Sequence, residues 1–163
     1  MIESNWGGTK IEPWMTREPL DDCDIDDYVD DAHPETSNTQ IYNAMIHPLI
    51  RLSIKGALWY QGESNSGNNR DKYQCTFPSL ITSWRQIWNE NSPTSDSFPF
   101  GFMQLSTIDA GNTGPGIPVI RWHQTADMGY VPNDIMQVQS ITKKNTYPLF
   151  FNLTFFPYIS GTA

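Results

Sequence analysis

The chain has 163 residues, 38% of them hydrophobic and 13% aromatic but only 17% charged, so a single domain with a real core is expected and general disorder is excluded. A net charge of −8, without a basic stripe interleaved with aromatics, excludes a nucleic-acid partner. No apolar run is long enough to cross a bilayer, so no membrane partner is expected either.

Met1-Ile2-Glu3-Ser4-Asn5 lacks the basic start and apolar middle of a secretory signal, and none is expected there. Asn5-Trp6-Gly7-Gly8-Thr9 is a glycine turn that residues 1–4 alone are left to feed as a strand. Residues 18–35 concentrate the acidic charge in Asp21, Asp22, Asp24, Asp26, Asp27, Asp30 and Asp31, and with Pro19 and Pro34 they read as an exposed loop. Asp22-Cys23-Asp24-Ile25-Asp26 begins like a calcium loop, but Asp27 stands where that loop needs glycine and His33 where it needs glutamate. A solvated acidic loop without metal is the better reading. Cys23 and Cys75 are the only cysteines, outside any Cys-x-x-Cys unit, and the sequence leaves their pairing open.

Ile41, Met45, Ile46, Leu49 and Ile50 fall at helical spacing, with Pro48 near the end. Residues 54–60 are near-continuously apolar through Ala57, Leu58, Trp59 and Tyr60, as a strand buried on both faces would be. The strand stops in Gln61-Gly62-Glu63-Ser64-Asn65, two amides, a carboxylate and a hydroxyl within five residues. Ligands of open α/β sheets bind beyond the carboxyl ends of strands, which makes this cluster a site candidate. Tyr73, Phe77, Leu80, Ile81, Trp84, Ile87 and Trp88 share one helical face, interrupted by Pro78, which is expected to kink the helix or begin its second half. Trp84 and Trp88 read as core. Residues 98–105 predict a second buried strand, residues 109–118 are rich in glycine and proline, and residues 119–128 predict a short helix. Helix, strand, helix, strand, helix implies parallel strands with right-handed crossovers. From about Gln137 no period is visible, so residues 1–136 are expected to form the domain and 137–163 a divergent tail outside the fold. Within that tail Asn152-Leu153-Thr154 is an N-glycosylation acceptor.

Five segments, taken together, resemble the sialate O-acetylesterases, a branch of the SGNH hydrolase superfamily. They are residues 6–14 (Trp6-Gly7-Gly8-Thr9 onward), 43–49, 55–65 (with Trp59-Tyr60-Gln61-Gly62-Glu63-Ser64-Asn65), 77–85 (Phe77-Pro78-Ser79-Leu80) and 120–127 (Arg121-Trp122-His123-Gln124). The resemblance implies a three-layer α/β/α fold with a parallel sheet, here incomplete, and removal of O-acetyl groups from sialic acids or sialoglycans by a serine nucleophile without metal or other cofactor. It suggests a secreted or lysosomal location. In such proteins the nucleophile lies in a Gly-Gln-Ser-Asn-Met block upstream of the Trp-Gly-Gly-Thr segment, and the base in an Asp-x-x-His-Pro block far downstream. Neither stands in its expected place here, so an esterase represented by an incomplete chain is expected, its activity alone left open, and the alternative is a catalytically dead glycan-binding or interfering fragment.

By the same resemblance the backbone N–H of Gly8 or Gly7 and the side-chain amide of Gln61 are oxyanion-hole candidates, with Glu63 and Asn65 as pocket support. The plainer reading is that Gln61 and Asn65 close a strand-to-helix turn. Ser64 is the alternative nucleophile, although Ser66 spoils a Gly-x-Ser-x-Gly elbow and no base is placed for it. His33, in Asp30-Asp31-Ala32-His33-Pro34, is the alternative base, although it precedes the Gln61 cluster. His47 and His123 read as structural. Arg85 is a candidate for a substrate carboxylate or an exposed helix ion pair.

Overall fold

The computed structural model describes residues 1–106 and 116–125, and residues 153–157 as backbone. At its centre is a βαβ unit. Strand β2 (Ile54–Trp59) and strand β3 (Phe100–Phe102) run parallel, with Ala57 opposite Phe100 and Trp59 opposite Phe102. Helix α2 (Tyr73–Asn91) connects them, so the α/β class and the parallel pairing read from the sequence hold. The N-terminal strand β1 (Ile2–Glu3) is short, as the few residues ahead of the glycine turn require.

Alternation along β2 and β3 sends Ala57, Trp59, Phe100 and Phe102 to one face, and α2 covers it. Phe77 meets Phe102 edge-on at 5.2 Å, and Trp84 meets Trp59 at 5.7 Å. Trp14, in the 3₁₀ turn Glu12–Trp14, approaches Trp59 from its other edge at 5.7 Å. Edge-to-face pairs set the positive rim of one ring on the negative face of the next, adding to what burial contributes. On the opposite face Leu58 is 45% exposed, so β2 is not buried on both sides as its composition suggests.

Helix α2 runs through Pro78 without ending. Arg85 does not form an exposed ion pair: it is buried, and its Nε and Nη2 donate to the Phe98 carbonyl at 3.1 and 2.9 Å. Desolvation lowers its pKa. The bonds tie α2 to the residues that lead into β3.

Three further differences from the sequence reading have physical causes. The acidic stretch contains a helix, α1 (Arg17–Asp22), because Pro19 sits in its first turn, where no intrahelical N–H is needed. Arg17 bonds Asp21 at 2.6 Å and also pairs with Asp27, which relieves part of the charge crowding. Residues 39–50 are not one regular helix: a wide turn (Tyr42–Ile46) gives way to a 3₁₀ turn (His47–Leu49) at Pro48, which lacks a backbone N–H. Finally, the expectation that residues 137–163 stand outside the fold fails for residues 153–157. Strand β4 (Leu153–Pro157) lies antiparallel between β1 and β2, in the sheet order β1-β4-β2-β3. It occupies an edge of β2 that would otherwise present unpaired peptide groups. Asn152 lies outside the described residues, as do most of the predicted loop 109–118 and the end of the predicted helix 119–128.

The pairing left open by the sequence forms: Cys23 and Cys75 are joined, with Cα atoms 5.7 Å apart, and fasten the end of α1 to the first turns of α2. Lys72 reaches Asp24 at 3.5 Å beside this bridge.

Candidate functional site

The carboxyl end of β2 and the glycine turn after β1 come together, and side-chain amides hold them there. Gln61 is buried, and its Nε2 donates both to the Thr9 carbonyl at 3.2 Å and to Asn65 Oδ1 at 2.7 Å. The Tyr73 hydroxyl donates to Gln61 Oε1 at 3.1 Å, and burial pushes that phenol's pKa well up. Gln124, from helix α3 (Gly116–Thr125), donates from Nε2 to the Gln61 carbonyl at 3.1 Å and accepts the Leu105 N–H at 3.0 Å. Four segments distant in sequence therefore meet around one amide.

Asn65 is fully buried in the 3₁₀ turn Glu63–Gly67. Its Oδ1 accepts the Ile11 N–H at 2.9 Å as well as the Gln61 amide, and its Nδ2 donates to both carboxylate oxygens of Glu12 at 3.2 Å. Thr9 completes the base of the turn, donating to the Trp6 carbonyl at 2.8 Å and accepting from Trp14 Nε1 at 2.9 Å. Above this layer Gly7 and Gly8 are exposed. Gly8 has φ +79°, a conformation glycine adopts without a Cβ penalty, and open space lies where a Cβ would point. Among the described residues neither N–H of this pair has an acceptor.

Of the three oxyanion candidates, then, the structure brings Gln61 to the Gly7–Gly8 turn but engages both of its amide protons. Two acceptors for two protons leave none for a substrate oxygen in this arrangement. Gln61 and Asn65 close the junction by gripping the glycine turn and the residues after it. Gly62 has φ +141° and no room for a side chain, since a Cβ would stand 2.8 Å from Ile120 Cγ2 and 3.0 Å from Leu105 Cδ1.

Glu63 is exposed as a residue, yet desolvation of its carboxyl raises the pKa, opposed by its own backbone N–H and by the Tyr60 hydroxyl. The Tyr60 phenol is raised in turn, by burial first and by the Glu63 charge second.

The alternative nucleophile and base are not brought together. Ser64 is half-buried in the Glu63–Gly67 turn, and its carbonyl accepts from Asn68 Nδ2 at 3.3 Å; among the described residues its hydroxyl has no histidine or carboxylate partner. His33 is exposed, and Asp30 accepts its backbone N–H at 2.9 Å, not its ring. The ring instead approaches Glu35 at 3.6 Å. Asp30 also accepts from Ala32 and Tyr28, and these bonds hold its carboxyl below the usual range. The Asp-x-x-His spelling is thus a loop clasp. His47 packs its ring against Tyr42 at 6.2 Å, a structural contact. Among the described residues no group of three carboxylate, cysteine or histidine side chains is placed to hold a metal.

Sequence reasoning missed Glu12, Tyr73 and Gln124. Glu12 carried a signal, a carboxylate enclosed by Ile11, Pro13 and Trp14, all of which are buried. Tyr73 falls on the apolar face of α2, and helical spacing carries no sign that its hydroxyl reaches Gln61.

Comparison with known proteins adds a family. A family model for carbohydrate esterase, sialic acid-specific acetylesterase, matches residues 1–145. The human sialate O-acetylesterase is 45% identical over 143 residues, covering 83% of this chain and 27% of that protein. The mouse protein of the same name is 41% identical over 169 residues, covering 83% of this chain and 31% of its own length. A crystal structure of a carbohydrate acetylesterase from Xanthomonas citri superimposes with a TM-score of 0.64 at 28% identity, over 83% of this chain and 28% of that one. The chain thus spans little more than a quarter of the human relative it matches.

Proposed function

This chain belongs to the carbohydrate esterase family of sialic acid-specific acetylesterases, and from that membership we propose that it serves the removal of O-acetyl groups from sialic acid hydroxyls. The substrate class is an O-acetylated sialic acid, free or at the end of a glycan. In such a reaction a serine hydroxyl attacks the acetyl carbonyl, a base takes its proton, and the oxygen gains negative charge that donors must stabilise. The observation that carries the reading is the exposed Gly7–Gly8 turn, whose N–H groups have no acceptor among the described residues and which is fixed from below by Gln61 through Thr9. In this reading the Gly8 N–H, or that of Gly7, faces the developing oxyanion. Gln61 joins as a second donor by releasing one of its two present acceptors, and Glu63 and Asn65 support the pocket. Residues 1–136 are read as the esterase-type part of the chain. Nucleophile and base are left unassigned. The disulfide suits an oxidising compartment, in line with a secretory or lysosomal route.

Hydrolysis of 4-nitrophenyl acetate and of O-acetylated sialic acid by the purified chain tests the proposal, and turnover above the buffer rate would show that these residues catalyse it alone. The Ser64→Ala variant is expected to keep that rate. A second reading, glycan binding without turnover, is favoured by the engagement of both Gln61 protons. Calorimetric binding of sialic acid with no acetate release would select it.

A further inference from the structure

Glu12 is a buried carboxylate, 1% exposed, that the ester chemistry above does not use. Burying a carboxylate is costly unless its oxygens are hydrogen-bonded, so its presence calls for partners. Among the described residues its carboxylate accepts three hydrogen bonds, all from side-chain amides: Asn65 Nδ2 to both oxygens at 3.2 Å and Asn69 Nδ2 to Oε1 at 3.0 Å. An ionised carboxylate only accepts, whereas an asparagine amide can present either its oxygen or its nitrogen. Glu12, together with the Asn68 carbonyl that accepts from the same Nδ2 at 3.3 Å, therefore sets which way Asn65 faces, and it is the charged member of the two. With Nδ2 drawn to Glu12, Asn65 Oδ1 must point to the Ile11 N–H and to Gln61 Nε2. Turned the other way, Asn65 would set a donor against two donors and release Gln61 from its place.

We propose that Glu12 is a positioning residue of the esterase site, an acceptor clamp that sets the orientation of Asn65 and through it holds Gln61 against the Gly7–Gly8 turn. The inference rests on reading that turn as the oxyanion wall for its meaning, but its test does not depend on esterase activity. The readout is solvent exchange of the Gln61 side-chain amide protons in the full chain, followed by NMR. Glu12→Leu removes the acceptor and is expected to speed that exchange by about tenfold or more, the equivalent of one hydrogen bond to a charged group. Glu12→Gln keeps one oxygen for Asn65 and Asn69 and is expected to restore slow exchange. Gln61 exchange unchanged in E12L, or as fast in E12Q as in E12L, would overturn the proposal. If E12L fails to fold, the pair N65D and N65D/E12Q decides. N65D sets two carboxylates face to face and is expected to speed exchange, and the amide introduced at position 12 then donates across the gap and slows it. No recovery in the double variant overturns the clamp, whereas an inactive chain with all these responses intact would overturn only the esterase reading.

Discussion

At the scale of single residues, backbone conformation and protonation make separable predictions. Gly8→Ala meets open space, so its cost is conformational, about 1–2 kcal/mol for an alanine held left-handed. Gly62→Ala adds steric contact with Ile120 and Leu105 to an even less accessible φ, so urea unfolding should show it as the more damaging of the two. Equal losses would mean that the packing around Gly62 yields freely. Glu63 predicts a pH dependence. Desolvation makes the folded protein hold this proton more tightly than the unfolded chain does, so its ionisation weakens the fold as pH climbs through the carboxylate range. Glu63→Gln should gain stability relative to the parent as pH rises across that window, and parallel stability profiles would refute the shift. The location of the cluster after β2 was legible in the sequence because apolar continuity ends abruptly at Gln61. The partners of Gln61 were not, since Thr9, Tyr73 and Gln124 reach it from three other segments and spacing carries no information about such meetings.

Among the elements, α2 was the most legible because seven large apolar residues repeat on one face, and a signal that long survives an internal proline. Trp84 is its keystone: fully buried, it contacts the rings of Trp59, Trp88 and Phe100 and donates from Nε1 to the Trp14 carbonyl at 3.2 Å. Trp84→Ala should cost about 3–5 kcal/mol, read as a lower denaturant midpoint, and a loss below 1 kcal/mol would mean the site collapses without a cavity. Helix α1 and strand β4 were illegible for opposite reasons. In α1 the apolar content is too small for a period to show, and its helix rests on Leu20 and Pro19 alone for buried contact. In β4 the run Leu153-Thr154-Phe155-Phe156 does favour a strand by composition, but it has no alternation to mark a face.

For the molecule as a whole, the α/β class followed from element order, whereas the sheet order did not, because β4 enters beside β2 after a long excursion in sequence. The Cys23–Cys75 bridge closes a loop over a separation of 52 residues that contains most of the acidic segment, β2 and the polar cluster. Its removal by the pair C23S/C75S should lower stability by about 2–4 kcal/mol, measured by denaturant titration under non-reducing conditions. An unchanged midpoint would show that the loop is already constrained in the unfolded chain.

That same bridge fixes what a protease can accomplish. A single cut on the exposed stretch around Val29 or His33 would sever the polypeptide yet leave the two pieces covalently joined. Such nicked molecules would migrate as one species in a non-reducing gel and fall into two once a thiol is added.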